Sequence, residues 1–128
     1  MKLRETCYKI FYNMKTFYQA GAACRGSAQG GTLAMPRDSE TNDFLRAKLN
    51  GVYRYFWFGL TYLHREGRSI WIDGTPLSPD KFNAYDLGKP DNQGDCVAYC
   101  TSTKIPMWGN GPCLWRAPYI CQIIPGQG

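Results

Sequence analysis

The chain has no run of about twenty apolar residues, so it contains no membrane-spanning helix. Its start, Met1-Lys2-Leu3-Arg4-Glu5-Thr6, has no apolar signal region; the expectation is an added Met1, with a native leader or upstream domain removed. Histidine occurs once, as His64 between Leu63 and Arg65, and reads as a surface side chain rather than a catalytic base. No glycine-rich loop is spaced to cradle phosphate, and nothing marks two of the ten Asp and Glu residues as an acid/base couple. These absences argue against an enzyme and imply no cofactor. A recognition-helix pattern and an RNA-binding signature are also missing, so nucleic acid is not an expected partner. There is no internal repeat and no low-complexity segment.

Six cysteines are present, at positions 7, 24, 96, 100, 113 and 121. One long loop with a short loop nested inside it reads as a disulfide framework, which places the chain in an oxidising compartment, secreted or extracellular. A cytosolic chain with six free thiols is the alternative. At 128 residues the length suits one domain, expected to span residues 1–124 with a tail or linker at 125–128. Frequent Gly and aromatic residues suggest short strands joined by many turns.

Cys7 to Tyr12 alternates well enough for an opening strand. Thr16-Phe17-Tyr18-Gln19 is a capping box, opening an Ala-rich helix that runs to about Gly26. Gly30-Gly31 breaks the pattern, and residues 32–36 read as a short extended piece. A second helix is predicted with Ser39 as N-cap, acidic Glu40 and Asp43 early, and basic Arg46 and Lys48 late. Asn50-Gly51 would stop it, and Phe44, Leu45 and Leu49 form its buried stripe. Bulky β-formers at 55–60 lead through a turn at Glu66-Gly67 into a second extended stretch at 69–74. Residues 75–95 then lack apolar periodicity, a loop of about twenty residues and therefore a candidate functional segment. Strands at 96–99, 106–108 and 118–124 close the chain. Helices first and strands later give an α+β fold.

Several motifs now align with a known family. Trp57-Phe58-Gly59-Leu60, Trp71-Ile72-Asp73-Gly74, Lys89-Pro90-Asp91 ahead of Asp95-Cys96, Trp108-Gly109-Asn110 ahead of Cys113, and Tyr119-Ile120-Cys121-Gln122 resemble a C-type lectin-like domain in order and spacing. The resemblance covers residues 7 to 122. It implies two helices flanking two small antiparallel sheets, a ligand loop at 75–95, and disulfides Cys24–Cys121 and Cys96–Cys113. In the chain-entropy model a loop that long stabilises by roughly 4–5 kcal/mol and the short one by about 3. Cys7 and Cys100 are left over. A Cys7–Cys100 bridge is the economical pairing, because it leaves no free thiol and would pin the first strand; pairing with another chain or with a removed segment are the alternatives.

Lectins of this family hold calcium with oxygens on either side of a proline, from a loop carboxylate, and from an Asn-Asp pair after a tryptophan. Here Lys89 offers an ammonium at the first position, Asp91 keeps the second, and Gly94 stands at the loop carboxylate. Gly109 and Asn110 follow Trp108 in place of the Asn-Asp pair. Calcium needs about six to eight oxygens, so the resemblance implies a largely dismantled metal site and no required cofactor. At a second calcium position Tyr62 replaces an acid, while Glu66, Asn92 and Asp95 remain. Asp91, Asn92 and Asp95 read either as weak residual calcium ligands or as caps of the loop turns.

The candidate ligand-binding residues are thus Lys89, Asp91, Asn92, Asp95 and Asn110, with no metal assigned. Lys89 reads either as a solvated lysine or as a cation that receives an acidic group, an idea that the net charge of +5, Arg65 and Arg68 all favour. Trp57 and Trp71 read as core, and Trp108 as packed under the loop. Tyr53, Tyr55 and Tyr85 are candidate stacking surfaces. Two functions follow: secreted recognition of microbial or acidic glycans, as in innate immunity, or a calcium-independent protein-interaction domain using the same loop surface.

Overall fold

The computed structural model describes residues 1–63, 65–78, 80–102 and 104–124, so His64 and the 125–128 tail lie outside the described residues. In chain order its elements are β1 (Lys2–Leu3), β2 (Thr6–Lys15), α1 (Phe17–Ser27), β3 (Thr32–Leu33), α2 (Ser39–Arg46), β4 (Tyr55–Leu63), β5 (Arg68–Trp71), β6 (Pro76–Leu77), β7 (Cys96–Cys100), β8 (Met107–Gly111) and β9 (Ala117–Ile123).

The capping box at α1 is formed. The Thr16 hydroxyl accepts the Gln19 N–H at 3.3 Å, and the Gln19 side chain accepts the Thr16 N–H at 3.1 Å. At α2 the cap is Asp38 rather than the expected Ser39, because its carboxylate accepts the Thr41 N–H at 2.8 Å. A negative charge there also suits the helix dipole. That helix ends at Arg46, before Asn50-Gly51, and tighter bonds from the Lys48 and Leu49 N–H groups to the Leu45 and Arg46 carbonyls carry the chain onward.

The strands join into one nine-stranded sheet rather than two separate ones. β2 pairs antiparallel with β9 along its length, and β9 meets β4 in parallel where Trp57 lies opposite Tyr119. From β4 the pairing branches, to β5 and β6 at one end and to β7 and β8 at the other. The segment read as an unstructured loop therefore starts with a short strand, β6. Alternation splits the apolar residues between two faces. On one face Phe56, Phe58, Leu60, Val97, Tyr99, Trp108 and Ile120 pack with Leu45 of α2. On the other, Trp57, Ala98, Tyr119 and Cys121 pack with Phe17, Ala20 and Cys24 of α1.

Two disulfides fasten these layers. Cys24–Cys121 ties α1 to β9 across 97 residues, and Cys96–Cys113 ties β7 to the segment after β8 across 17. The proposed Cys7–Cys100 bridge is absent, and both thiols are free. Cys7 lies on β2 opposite Ile123, and Cys100 on β7 opposite Tyr55 and Met107. β9 and β4 stand between them in the sheet, so three strand spacings of about 4.8 Å separate residues that a disulfide needs within about 7 Å.

Candidate functional site

Trp108 is the floor of the long loop. Its ring is fully buried, and its indole N–H donates to Asn42 Oδ1 at 2.9 Å, an oxygen that also accepts the Tyr99 hydroxyl at 2.6 Å. Phe82 and Tyr85 set their ring edges against it from the loop side. The Trp108 N–H donates to the Ala84 carbonyl and the Asp86 N–H to the Trp108 carbonyl, both at 2.9 Å. The first half of the loop is thereby laid onto β8. Tyr85 shares a hydrogen bond of 2.8 Å with Ser69, and burial pushes its hydroxyl up to about 12 despite that bond.

Asn110 clips down the second half. Its Oδ1 accepts the Asp91 N–H at 2.9 Å, while its Nδ2 donates to the Asp91 carbonyl at 2.6 Å and the Gly94 carbonyl at 2.8 Å. The Lys89 ammonium donates to Asp91 Oδ2 at 2.7 Å, and the other carboxylate oxygen accepts the Gln93 N–H at 3.0 Å. The Lys89 bond, followed by the Gln93 N–H, holds the Asp91 carboxyl below its ordinary range. The Lys89–Pro90 peptide is cis. Lys89 is therefore not a fully solvated lysine: its side chain is 32% exposed and its ammonium is paired with Asp91.

Lys89, Asp91 and Asn110 thus form one cluster. Asn92 and Asp95 line an adjoining shallow hollow of about 440 Å³ with Tyr18, Gly94, Pro112 and Leu114. The Asn92 side chain accepts from the Gln93 amide at 3.2 Å, and the Asp95 carbonyl accepts the Tyr62 N–H at 2.8 Å. Asp95 also borders Arg65 and Glu66 at the β4–β5 hairpin. Arg68 is exposed on that hairpin. Among the described residues, no three His, Cys, Asp or Glu side chains gather as a metal would need.

Two glycines shape the cluster. A Cβ at Gly94 would collide with the backbone of Gly111 and Pro112, so no side chain fits at the loop-carboxylate position. A Cβ at Gly109 would meet the Cys100 sulfur at 2.8 Å and the Lys89 stem at 3.8 Å. Burial raises the Cys100 thiol, partly offset by the Lys89 charge.

The aromatic readings divide. Trp57, Trp71 and Trp108 are at most 3% exposed. Tyr53, Tyr55 and Tyr85 are half-buried, Tyr53 against Tyr12 and Phe56, and Tyr85 against Trp108. Tyr55 instead supports a residue that the sequence reading passed over, Trp115, whose ring centroid lies 4.9 Å away. Trp115 is 42% exposed, beside Leu114 at 78%. The available signal was its place in Leu114-Trp115-Arg116, bulky residues between Pro112-Cys113 and the last strand that fit no buried face.

Comparison with known proteins agrees with this architecture. The model of the family described as Lectin C-type domain matches residues 13–123. C-type lectin lectoxin-Lio3 from Erythrolamprus poecilogyrus is 31% identical over 122 residues, covering 91% of this chain and 74% of the relative. C-type lectin domain family 4 member M from Hylobates lar is 30% identical over 118 residues, but this chain spans only 28% of that protein. Among solved structures, the Ca2+-independent C-type lectin SPL-2 from Saxidomus purpuratus superposes with a TM-score of 0.85 at 25% identity, covering 98% of this chain and 91% of that one. The family match, the two disulfides and the loop laid over Trp108 agree, and the chain belongs to the Lectin C-type domain family.

Proposed function

We propose that this domain recognises glycans outside the cell through its 75–95 loop, without calcium. The observation that carries the reading is the Lys89–Asp91–Asn110 cluster, which orders the loop with an internal cation. The donor set does not fit calcium. Asp91 is the one carboxylate in the cluster and is already held by an ammonium, Asn110 is spent on backbone groups, and Gly94 has no room for an acid. An ion needing about six to eight oxygens finds too few there. The likeness to a lectin described as Ca2+-independent supports the same reading. No helix among the described residues is long and apolar enough to cross a membrane, and the disulfides suit a secreted or extracellular setting, where a role in innate recognition would be exercised.

The ligand preference that fits the chain's charge is an acidic glycan, microbial or host, and no catalytic step is assigned. One feature favours the protein-partner reading: Leu87, at the loop tip, is 98% exposed. A glycan array probed in calcium and again in chelator separates these. Equal binding in both supports the proposal, loss in chelator contradicts its metal-free part, and silence in both transfers the loop to a protein partner.

A further inference from the structure

Along β8 the side-chain directions of Gly109 and Gly111 point to the same face, about 7 Å apart. Neither glycine covers that face, and a side chain from elsewhere lies over each. A Cβ at Gly111 would sit 2.6 Å from the Trp115 ring, and one at Gly109 would sit 3.8 Å from the Lys89 stem. The Trp115 ring and the Lys89 stem therefore cover neighbouring positions on the same face of β8. Tyr55 backs it, and the Arg54 guanidinium stacks on Tyr55 at 5.8 Å.

This is the one tryptophan with open surface, although its neighbour Tyr55 holds it in place. Arg54, Lys104 and Arg116 are exposed, and among the described residues none of them makes an ion pair. Asp86 and Arg54 both act on the Cys100 thiol below, and Asp91 is already neutralised by Lys89. An exposed aromatic face, with Arg116 next to it in the chain and Arg54 over the Tyr55 that backs it, suits a ring with one apolar face and an anionic substituent.

We propose that Trp115 is the platform of a second, metal-free saccharide subsite, stacking the apolar face of a pyranose whose sulfate or carboxylate is met by Arg54 and Arg116. The subsite rests on the glycan reading above, and it extends the ligand surface from the loop onto the outer face of β8.

The test is titration with a heparin-derived hexasaccharide and its desulfated form, followed by the indole N–H resonances. The Trp57 and Trp108 indoles donate internally, to the Lys15 carbonyl and Asn42, and serve as references. The expected result is a shift of the Trp115 indole signal and affinity reduced about tenfold or more in Trp115→Ala. Trp115→Phe should keep most of the affinity, which separates stacking from misfolding, with thermal melts as a folding check. Arg54→Ala with Arg116→Ala should weaken the sulfated ligand and spare the desulfated one. Undiminished binding by folded Trp115→Ala, or no response to the sulfated hexasaccharide while other glycans bind, overturns the subsite alone. Silence of the unaltered chain towards every glycan overturns the subsite and the glycan reading together.

Discussion

Replacing Lys89 by methionine removes one ammonium while keeping the stem that lies over Gly109. The bond it breaks is 2.7 Å long, between side chains 32% and 31% exposed. Fully exposed pairs are worth about 0–1 kcal/mol, and hydrogen bonds to charged groups about 1.5–3. Partial exposure and the surviving Gln93 and Asn110 contacts put this pair near the boundary, at about 1 kcal/mol. In a chain of this size that lowers Tm by roughly 3–5 °C. The Asp91 carboxyl, relieved of its main partner, should titrate closer to the ordinary carboxylate range. Thermal denaturation of Lys89→Met, Asp91→Asn and the double variant gives the coupling directly, and carboxyl NMR follows Asp91. A coupling of zero within error, with the Asp91 titration unmoved, would refute the idea that an internal cation orders the loop.

Three further outcomes follow from the same geometry. Asn42→Ala strips the acceptor from both the Tyr99 hydroxyl and the Trp108 indole, and chemical denaturation should register a loss of about 3 kcal/mol. Gly94→Ala forces a methyl into the Gly111 backbone, so the melt should fall by an equivalent of about 1–3 kcal/mol, and calorimetry should detect no calcium binding gained. Acid should destabilise the fold through three carboxylates. The Thr41 N–H lowers Asp38, Lys89 lowers Asp91, and Arg37 lowers Asp73 against the raising effect of burial. Groups lowered on folding add stability above their unfolded value and lose it as pH falls through the folded one. Tm should therefore be steady above about pH 5 and drop below about pH 4, and a flat profile through that range would count against these pairs.

Much of the fold was legible because it rests on local chemistry. The Thr16–Gln19 box follows from residue type and spacing, while the buried Trp57 and Trp71 and the loop packed over Trp108 are expected once the family motifs are matched. The second cap was less certain, since Asp38 and Ser39 are both good caps and only the position of the Thr41 N–H decides between them. Pairing Cys7 with Cys100 failed for a non-local reason: strand order inserts β9 and β4 between them. At the site, the sequence marked Lys89 as anomalous but could not reveal that Asp91 lies within reach of its ammonium. Trp115 was invisible to periodicity, because a turn residue acquires its role from what it lies over, here Gly111 and Tyr55.

The most direct measurement of the central claim is a binding isotherm for the strongest array glycan, taken in millimolar calcium and repeated in excess chelator. An internally ordered loop predicts superimposable isotherms. Binding present in calcium and lost in chelator would mean that a metal, and not Lys89, completes the site.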